Sequence, residues 1–135
     1  MNETTVAYET TTELSFDAAV ERCRESLAKE GFGVLTEIDV QATLKKKLDV
    51  DREPFLILGA CHPPSANRAI NAVPAVGVYL PCNVTVSVED GTTVVRGMNP
   101  GSVMGMLGDP VVAEVGQEVG AALRRVVEST ETVAA

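Results

Sequence analysis

The sequence predicts an α/β fold of the α+β type: a single two-layer domain with a mixed sheet of about five strands and helices mainly on one side. Two observations predict this class. Short runs of alternating apolar residues, typical of strands, take turns with longer runs in which apolar residues recur every three or four positions, typical of helices. The 135 residues have the usual length of one domain, so we treat 1–135 as one unit.

The first third of the chain predicts a strand, a helix, a second strand and a short helix. Residues 5–10 alternate weakly as the first strand, and Ser15 is a suitable N-cap for the helix that follows. Gly31 ends that helix, because glycine readily adopts the backbone conformation that closes one. Residues 32–38 alternate as the second strand, and Asp39 is the expected N-cap of a short amphipathic helix.

The middle of the chain predicts a central strand, a helix and two strand segments. Residues 55–61 are continuously apolar, which is typical of a strand covered on both faces. Pro63 suits the first turn of a helix, and we expect this helix to place Ile70 in the core. Residues 76–80 and 82–88 then form two strand segments that a proline separates.

The last third predicts a hairpin and two helices. Residues 90–91 are an Asp-Gly pair, a strong hairpin turn, and 92–98 form the return strand. Asn99 and Asp109 each precede a proline, the pattern of an N-cap followed by the first helical residue. We expect the tail, residues 129–135, to fray.

The charge of the chain excludes some classes of partner. The net charge is −8, with 19 acidic and 11 basic residues. Nucleic acids and anionic membranes bind clustered Lys and Arg, so we expect neither as a partner. The one basic run, at 45–47, is expected to be a solvated helix face. Few lysines beside many acids suggest adaptation to high salt, as in halophiles.

The sequence predicts a cytoplasmic location. No run of 18 apolar residues is present, so we expect no membrane-spanning segment. The polar start of the chain, MNET, does not resemble a signal peptide. The three cysteines are an odd number without paired spacing, so we expect reduced thiols rather than a secreted disulfide framework.

Four segments carry a pattern that is specific in combination: EGFGVLTEIDV at 30–40, ILGAC at 57–61, PP at 63–64 and LPCNV at 80–84. Together they resemble the domain-of-unknown-function 302 (DUF302) family, over about residues 14–123. The resemblance implies a compact α/β domain, often a homodimer, with no established activity. His62 stands where the family usually has asparagine, so chemistry that needs this residue would be peculiar to this chain.

Cys61, His62, Cys82 and Asn83 form the one constellation that suggests a ligand-binding site. Cys61 closes an apolar strand and precedes a helix, whose positive N-terminal end favours the reactive thiolate. If the strands of Cys61 and Cys82 are antiparallel neighbours, the two thiols face each other across the ladder. If the strands are parallel, the thiols lie at opposite ends of the sheet. The sequence leaves both arrangements open.

The same residues also suit purely structural roles, which we favour. Free cysteine packs as a small hydrophobe. Cys23 lies on the apolar stripe of a helix, and Cys82 shares a strand face with three valines. His62 is the only histidine, and we expect it to help cap the following helix. No spacing resembles a zinc site, so we expect neither a metal nor a cofactor.

The chain contains no catalytic motif, so the prediction leans away from an enzyme. Phosphate loops, dinucleotide fingerprints and Gly-x-Ser-x-Gly turns are all missing from it. We expect a non-enzymatic module that binds a small ligand near the strand ends at Cys61 and Asn83, with Gly59 permitting a close approach. The alternative is a thiol-based redox or sulfur-handling protein that uses Cys61 with Cys82. A structural oligomer is the third possibility.

Overall fold

The computed structural model describes residues 1–131 as one six-stranded sheet with five α-helices and one 3₁₀ helix. The sheet order is β1-β2-β6-β5-β4-β3. The strands are β1 (Asn2–Glu3), β2 (Ala7–Thr12), β3 (Gly33–Asp39), β4 (Phe55–Cys61), β5 (Cys82–Glu89) and β6 (Thr92–Met98). The helices are α1 (Phe16–Lys29), α2 (Val40–Leu48), α3 (Pro63–Ala72), the 3₁₀ helix (Pro74–Tyr79), α4 (Pro100–Gly105) and α5 (Pro110–Glu128).

The predicted fold class is confirmed, with two corrections to the sheet. There are six strands rather than about five in the described part, because β1 adds a two-residue strand that is too short to leave a pattern. All the strand pairs of residues 1–131 are antiparallel, whereas a mixed sheet was expected. The helices α2 and α3 each join antiparallel neighbours, so neither serves as the crossover that a parallel pair requires.

One face of the sheet packs against α1 and α5 and forms the core. Leu58, Val84 and Val95, on β4, β5 and β6, are fully buried there. Leu27 of α1 and Leu123 of α5 are fully buried on the helical side. The opposite face, here called the open face, carries Glu9, Asn83, Thr85 and Arg96, which are exposed or half-buried. This division is typical of an antiparallel sheet with one wet side.

The predicted helix starts are confirmed where a side chain caps the backbone. The Ser15 hydroxyl accepts from the Ala18 N–H at 3.1 Å, and Asp39 caps α2 in the same way. Asp109 accepts from the first two free N–H groups of α5. Asn99 makes no cap; its amide donates instead to the carbonyl of Thr4, which ties the start of α4 to the N-terminal strands.

Two predictions for the middle of the chain are wrong. Residues 76–79 belong to the 3₁₀ helix and Leu80 follows it as C-cap, so 76–80 is not a strand. Pro74 fits a first helical turn, and a three-residue period buries Val76 while exposing Val78. Ile70 is 42% exposed, whereas Ser65 and Ala69 are the buried residues of α3. The buried face of α3 is therefore centred on Ser65 and Ala69, and Ile70 lies outside it.

The first residues of the segment that was expected to fray lie against the domain. Thr130 is fully buried, and a carboxylate oxygen of Glu131 lies 2.8 Å from the amino group of Met1. Residues 132–135 lie outside the described residues. None of the helices in 1–131 is both long and apolar enough to cross a membrane.

Candidate functional site

Cys61 and Cys82 lie where β4 ends and β5 begins. These strands are antiparallel neighbours, and the register pairs Cys82 with Ala60 rather than with Cys61. Of the two arrangements that the sequence leaves open, the antiparallel one is therefore found, displaced by one residue. Both cysteines are free thiols, and both line the same cavity.

This cavity, here called the inner chamber, is a small apolar space beneath the sheet. Its volume is about 20 Å³, which is enough for about one water molecule. Met104 and Val115, from α4 and α5, complete the wall opposite the cysteines. A chamber of this size does not admit a whole organic ligand.

His62 lines both the inner chamber and a second, larger cavity. It occupies the N-cap position of α3, but its side chain makes no capping hydrogen bond, so the expected capping role is wrong. Its Nδ1 lies 2.7 Å from the hydroxyl of the buried Ser65. The ring centroid lies 5.4 Å from that of Phe32, and a Cβ at Gly31 would come within 3.2 Å of Nε2. Three neighbours therefore fix the imidazole.

The second cavity, here called the outer cleft, has a volume of about 160 Å³ and shares Phe32 and His62 with the inner chamber. Arg125 on α5 donates two hydrogen bonds, at 2.8 and 2.9 Å, to the two carboxylate oxygens of Glu30. These bonds hold the pKa of Glu30 below its ordinary value. Glu118, also on α5, supplies a second carboxylate.

Burial keeps two of the three thiols protonated. It raises the pKa of Cys23 to about 12. Burial and, to a lesser extent, the charge of Cys61 raise the pKa of Cys82 to about 11. The thiolate is the reactive form, so both thiols are inert at neutral pH, as their predicted core positions require. Cys61 is only half-buried.

Asn83 lies apart from the other three predicted site residues. Successive strand residues point to opposite faces, so the side chain of Cys82 enters the core while that of Asn83 lies on the open face. There Asn83 lines a shallow concavity of about 340 Å³ beside Arg96. The structure therefore brings His62 and the two cysteines together and places Asn83 on the other side of the sheet.

The sequence did not point to four residues of the outer cleft: Glu30, Ser65, Glu118 and Arg125. Ser65 lies three positions after His62 at a helix start, a spacing that brings side chains together. Glu30 and Arg125 are 95 positions apart, so no local pattern links them. Within residues 1–131, no group of three or more His, Cys, Asp or Glu side chains could hold a metal ion.

The chain is similar to one known family over nearly its whole length. The family model for the domain of unknown function DUF302 matches residues 8–130. The chain also resembles the crystal structure of an uncharacterized conserved DUF302 protein from Bacillus stearothermophilus, with a TM-score of 0.86, 32% sequence identity, and coverage of 93% of this chain and 98% of that chain. Curated proteins provide no match. The chain therefore belongs to the DUF302 family.

Proposed function

We propose that this protein is a non-enzymatic module that binds a small ligand in the outer cleft beside His62. The observation that carries this proposal is the position of the imidazole. Nδ1 is engaged by Ser65, whereas Nε2 makes no hydrogen bond to any residue of 1–131. A fixed ring nitrogen beside apolar walls is the combination that small-molecule sites use to orient a ligand.

The outer cleft offers both apolar and polar contacts. Phe32, Val119 and Ala122 supply apolar walls, while Glu118 and Arg125 supply charged groups. Its volume of about 160 Å³ is below the roughly 300–1,000 Å³ of sites for drug-sized molecules. We therefore expect a ligand with only a few non-hydrogen atoms.

Two features favour binding over catalysis. The lowered pKa of Glu30 keeps this carboxyl group ionised at neutral pH, so it is not poised to donate a proton. The pKa of Cys82, raised to about 11, keeps this thiol protonated, so it is not poised to act as a nucleophile.

A fragment titration followed by two-dimensional amide NMR tests the proposal. We expect small polar fragments to shift the amide signals of Phe32, Ser65 and Val119, and His62→Ala to abolish these shifts. The matched control is Asn83→Ala, which changes an exposed side chain on the open face and should leave the shifts intact. Fragments that shift only residues of the open face, or shift none, would contradict the proposal.

A thiol-based redox role is the second candidate, and the cavity that Cys61 and Cys82 share favours it. Cys61 lies one residue beyond the partner of Cys82, which places the two α-carbons about 6 Å apart, within the disulfide range. Strand alternation directs their two Cβ atoms to opposite faces, so the backbone at the end of β4 must move for a disulfide to form. The Cys61 thiolate would attack an external disulfide RSSR and release RS⁻. Cys82, whose thiol must first give its proton to solvent, would then displace the second RS⁻, so that two protein thiols are oxidised and RSSR is reduced to two RSH.

Thiol alkylation against pH separates the two candidates. We expect iodoacetamide to modify Cys61 first in the native protein, because Cys23 and Cys82 are buried and have pKa values raised to about 12 and about 11. Mass spectrometry of tryptic peptides measures each rate. If RSSR treatment also yields a Cys61–Cys82 disulfide, the redox candidate gains; if Cys61 resists alkylation until unfolding, the redox candidate fails.

The partner and location are part of the proposal. We infer a homodimer from the family resemblance, and a cytoplasmic location from the unpaired cysteines. The net charge of −8 supports the expectation that nucleic acid is not a partner. A structural oligomer without a ligand is the interpretation that remains if both binding and thiol chemistry fail.

A further inference from the structure

We propose that the outer cleft selects a small organic cation, such as a primary alkylammonium ion, and that Glu118 is the residue that sets this preference. This inference rests on the proposed function, because it names the ligand class of the same cleft. It follows from which charges in the cleft are already neutralised and which are not.

The charges of Glu30 and Arg125 cancel. Both oxygens of Glu30 accept from the guanidinium of Arg125, at 2.8 and 2.9 Å. A bidentate pair of this kind is among the strongest surface contacts that a guanidinium makes. Arg125 keeps further N–H donors, but its charge is already balanced by Glu30, so an anionic ligand gains little net attraction there.

The charge of Glu118 is only partly compensated. One of its oxygens, Oε2, accepts from Arg68 at 2.9 Å. The same guanidinium lies 3.4 Å from a carboxylate oxygen of Glu114, so one cation serves two carboxylates. Oε1 of Glu118 accepts no hydrogen bond from the described residues. The group leaves one net negative charge at the mouth of the cleft, beside an unused acceptor.

The charge of the whole molecule also favours a cationic ligand. With a net charge of −8, the chain attracts small cations and repels small anions at low ionic strength. His62 does not oppose this preference, because a neutral imidazole with a proton on Nδ1 can accept a hydrogen bond at Nε2. An ammonium group can therefore donate to Glu118 and to His62, while its alkyl chain contacts Phe32 and Val119.

Three ligands of the same shape and different charge test the inference: n-butylammonium, n-butanol and n-butyrate. Their dissociation constants are measured by amide NMR titration at pH 7 and low salt, using the signals of Phe32, Ser65 and Val119. We expect n-butylammonium to bind about tenfold more tightly than n-butyrate, the difference that one partly screened charge contact produces. Salt at 0.5 M should reduce this ratio, because it screens exposed charges.

Glu118→Gln provides the residue-level test, because it keeps the shape of the side chain and removes its charge. We expect this substitution to bring the ratio of the two dissociation constants close to one. The matched control is Glu21→Gln, which removes an exposed carboxylate on α1 that also pairs with an arginine but does not line the cleft. It should leave most of the preference in place.

The outcomes separate this inference from the proposed function. If n-butyrate binds as tightly as n-butylammonium, or if Glu118→Gln leaves the ratio unchanged, the cation preference is wrong while the site stands. If none of the three molecules, nor any fragment of the earlier titration, shifts the signals of the cleft, the proposed function itself fails, and this inference fails with it.

Discussion

Gly59 leaves room for neighbouring side chains rather than for a ligand. A Cβ built at this position would lie 2.1 Å from Oγ1 of Thr36 and 2.9 Å from Cγ of Pro81. The close approach expected of this glycine therefore exists, but it belongs to the packing of β3 and of the segment before β5. Because Gly59 has no side chain, Thr36 and Pro81 can both pack closely against β4.

Gly59→Ala tests this role. We expect a loss of about 1–3 kcal/mol in the free energy of unfolding, because the added methyl group forces Thr36 and Pro81 to move. Urea denaturation measures the change. Gly33→Ala is the control: it lies on β3, where a Cβ meets nothing within 4 Å, and should cost little. Equal stability of the two variants would contradict the assignment.

Glu89 is held on the open face by Arg96. Hydrogen bonds from Arg96 and then from Ser87 lower the pKa of Glu89 to about 2. A carboxylate whose pKa is lower in the folded state than in the unfolded state stabilises the folded state at pH values above the ordinary pKa of 4.5. This contribution is lost as the pH falls from about 4.5 towards 2.

Glu89→Gln should therefore destabilise the protein at neutral pH and progressively less in acid. The side chain is 44% exposed, so we expect a cost of only about 0.5–1 kcal/mol at pH 7 after solvent screening. Urea titrations of both proteins at pH 7, 5, 4 and 3 measure the difference. A difference that stays constant over this range would show that the ion pair contributes nothing to the pH dependence.

At the scale of elements, α5 depends on Asp109, the N-cap residue that precedes it. Asp109 accepts hydrogen bonds from the N–H groups of Val111 and Val112, at 2.9 and 3.1 Å. The helix that it starts carries Val112, Val115, Val119, Leu123 and Val126 into the core. A cap at this point therefore supports both the core and one wall of the outer cleft.

Asp109→Ala should lower the free energy of unfolding by about 1 kcal/mol, the usual value of a capping side chain. Thermal unfolding followed by circular dichroism gives the change in Tm. Asp17→Ala, which removes an acidic residue from the first turn of α1 without removing the cap, is the control and should cost a few tenths of a kcal/mol. Similar losses for both substitutions would contradict the capping role.

The elements that the sequence predicts well are those with a local cause. The apolar run of β4 and the return strand β6 have the predicted bounds, because a continuous run and an Asp-Gly turn specify them by themselves. The sequence predicts a strand at the 3₁₀ helix, because Val76, Val78 and Leu80 alternate with other residues as they would in a strand. Pro74 at the first position favours the helix, and an alternation pattern takes no account of it.

The candidate site was predictable only in part. That Cys82 and Asn83 lie on opposite faces follows from strand alternation alone. The nearness of Cys61 to Cys82 depends on the register of β4 and β5, which no local pattern fixes. The pairing of Glu30 with Arg125 depends on the docking of α5 at the end of α1. Tertiary packing determines this contact, so it could not be predicted from the sequence.

At the scale of the whole molecule, the homodimer that the resemblance implies stays a prediction. Size-exclusion chromatography with light scattering should give twice the chain mass of 14.2 kDa. We expect this mass to persist on tenfold dilution, because a stable homodimer buries a large interface. A mass of one chain at all concentrations would contradict the homodimer.

The position of α2 has a practical consequence. None of its residues is buried, and it leaves β3 at Asp39, which pairs with Leu56. The opposite end of the same ladder pairs Gly33 with Cys61, beside the inner chamber. A fluorophore or a tether to a sensor chip placed on α2 would therefore stand clear of the core and at the far end of β4 from the cleft. Helix α2 is therefore a suitable attachment site for immobilised binding assays.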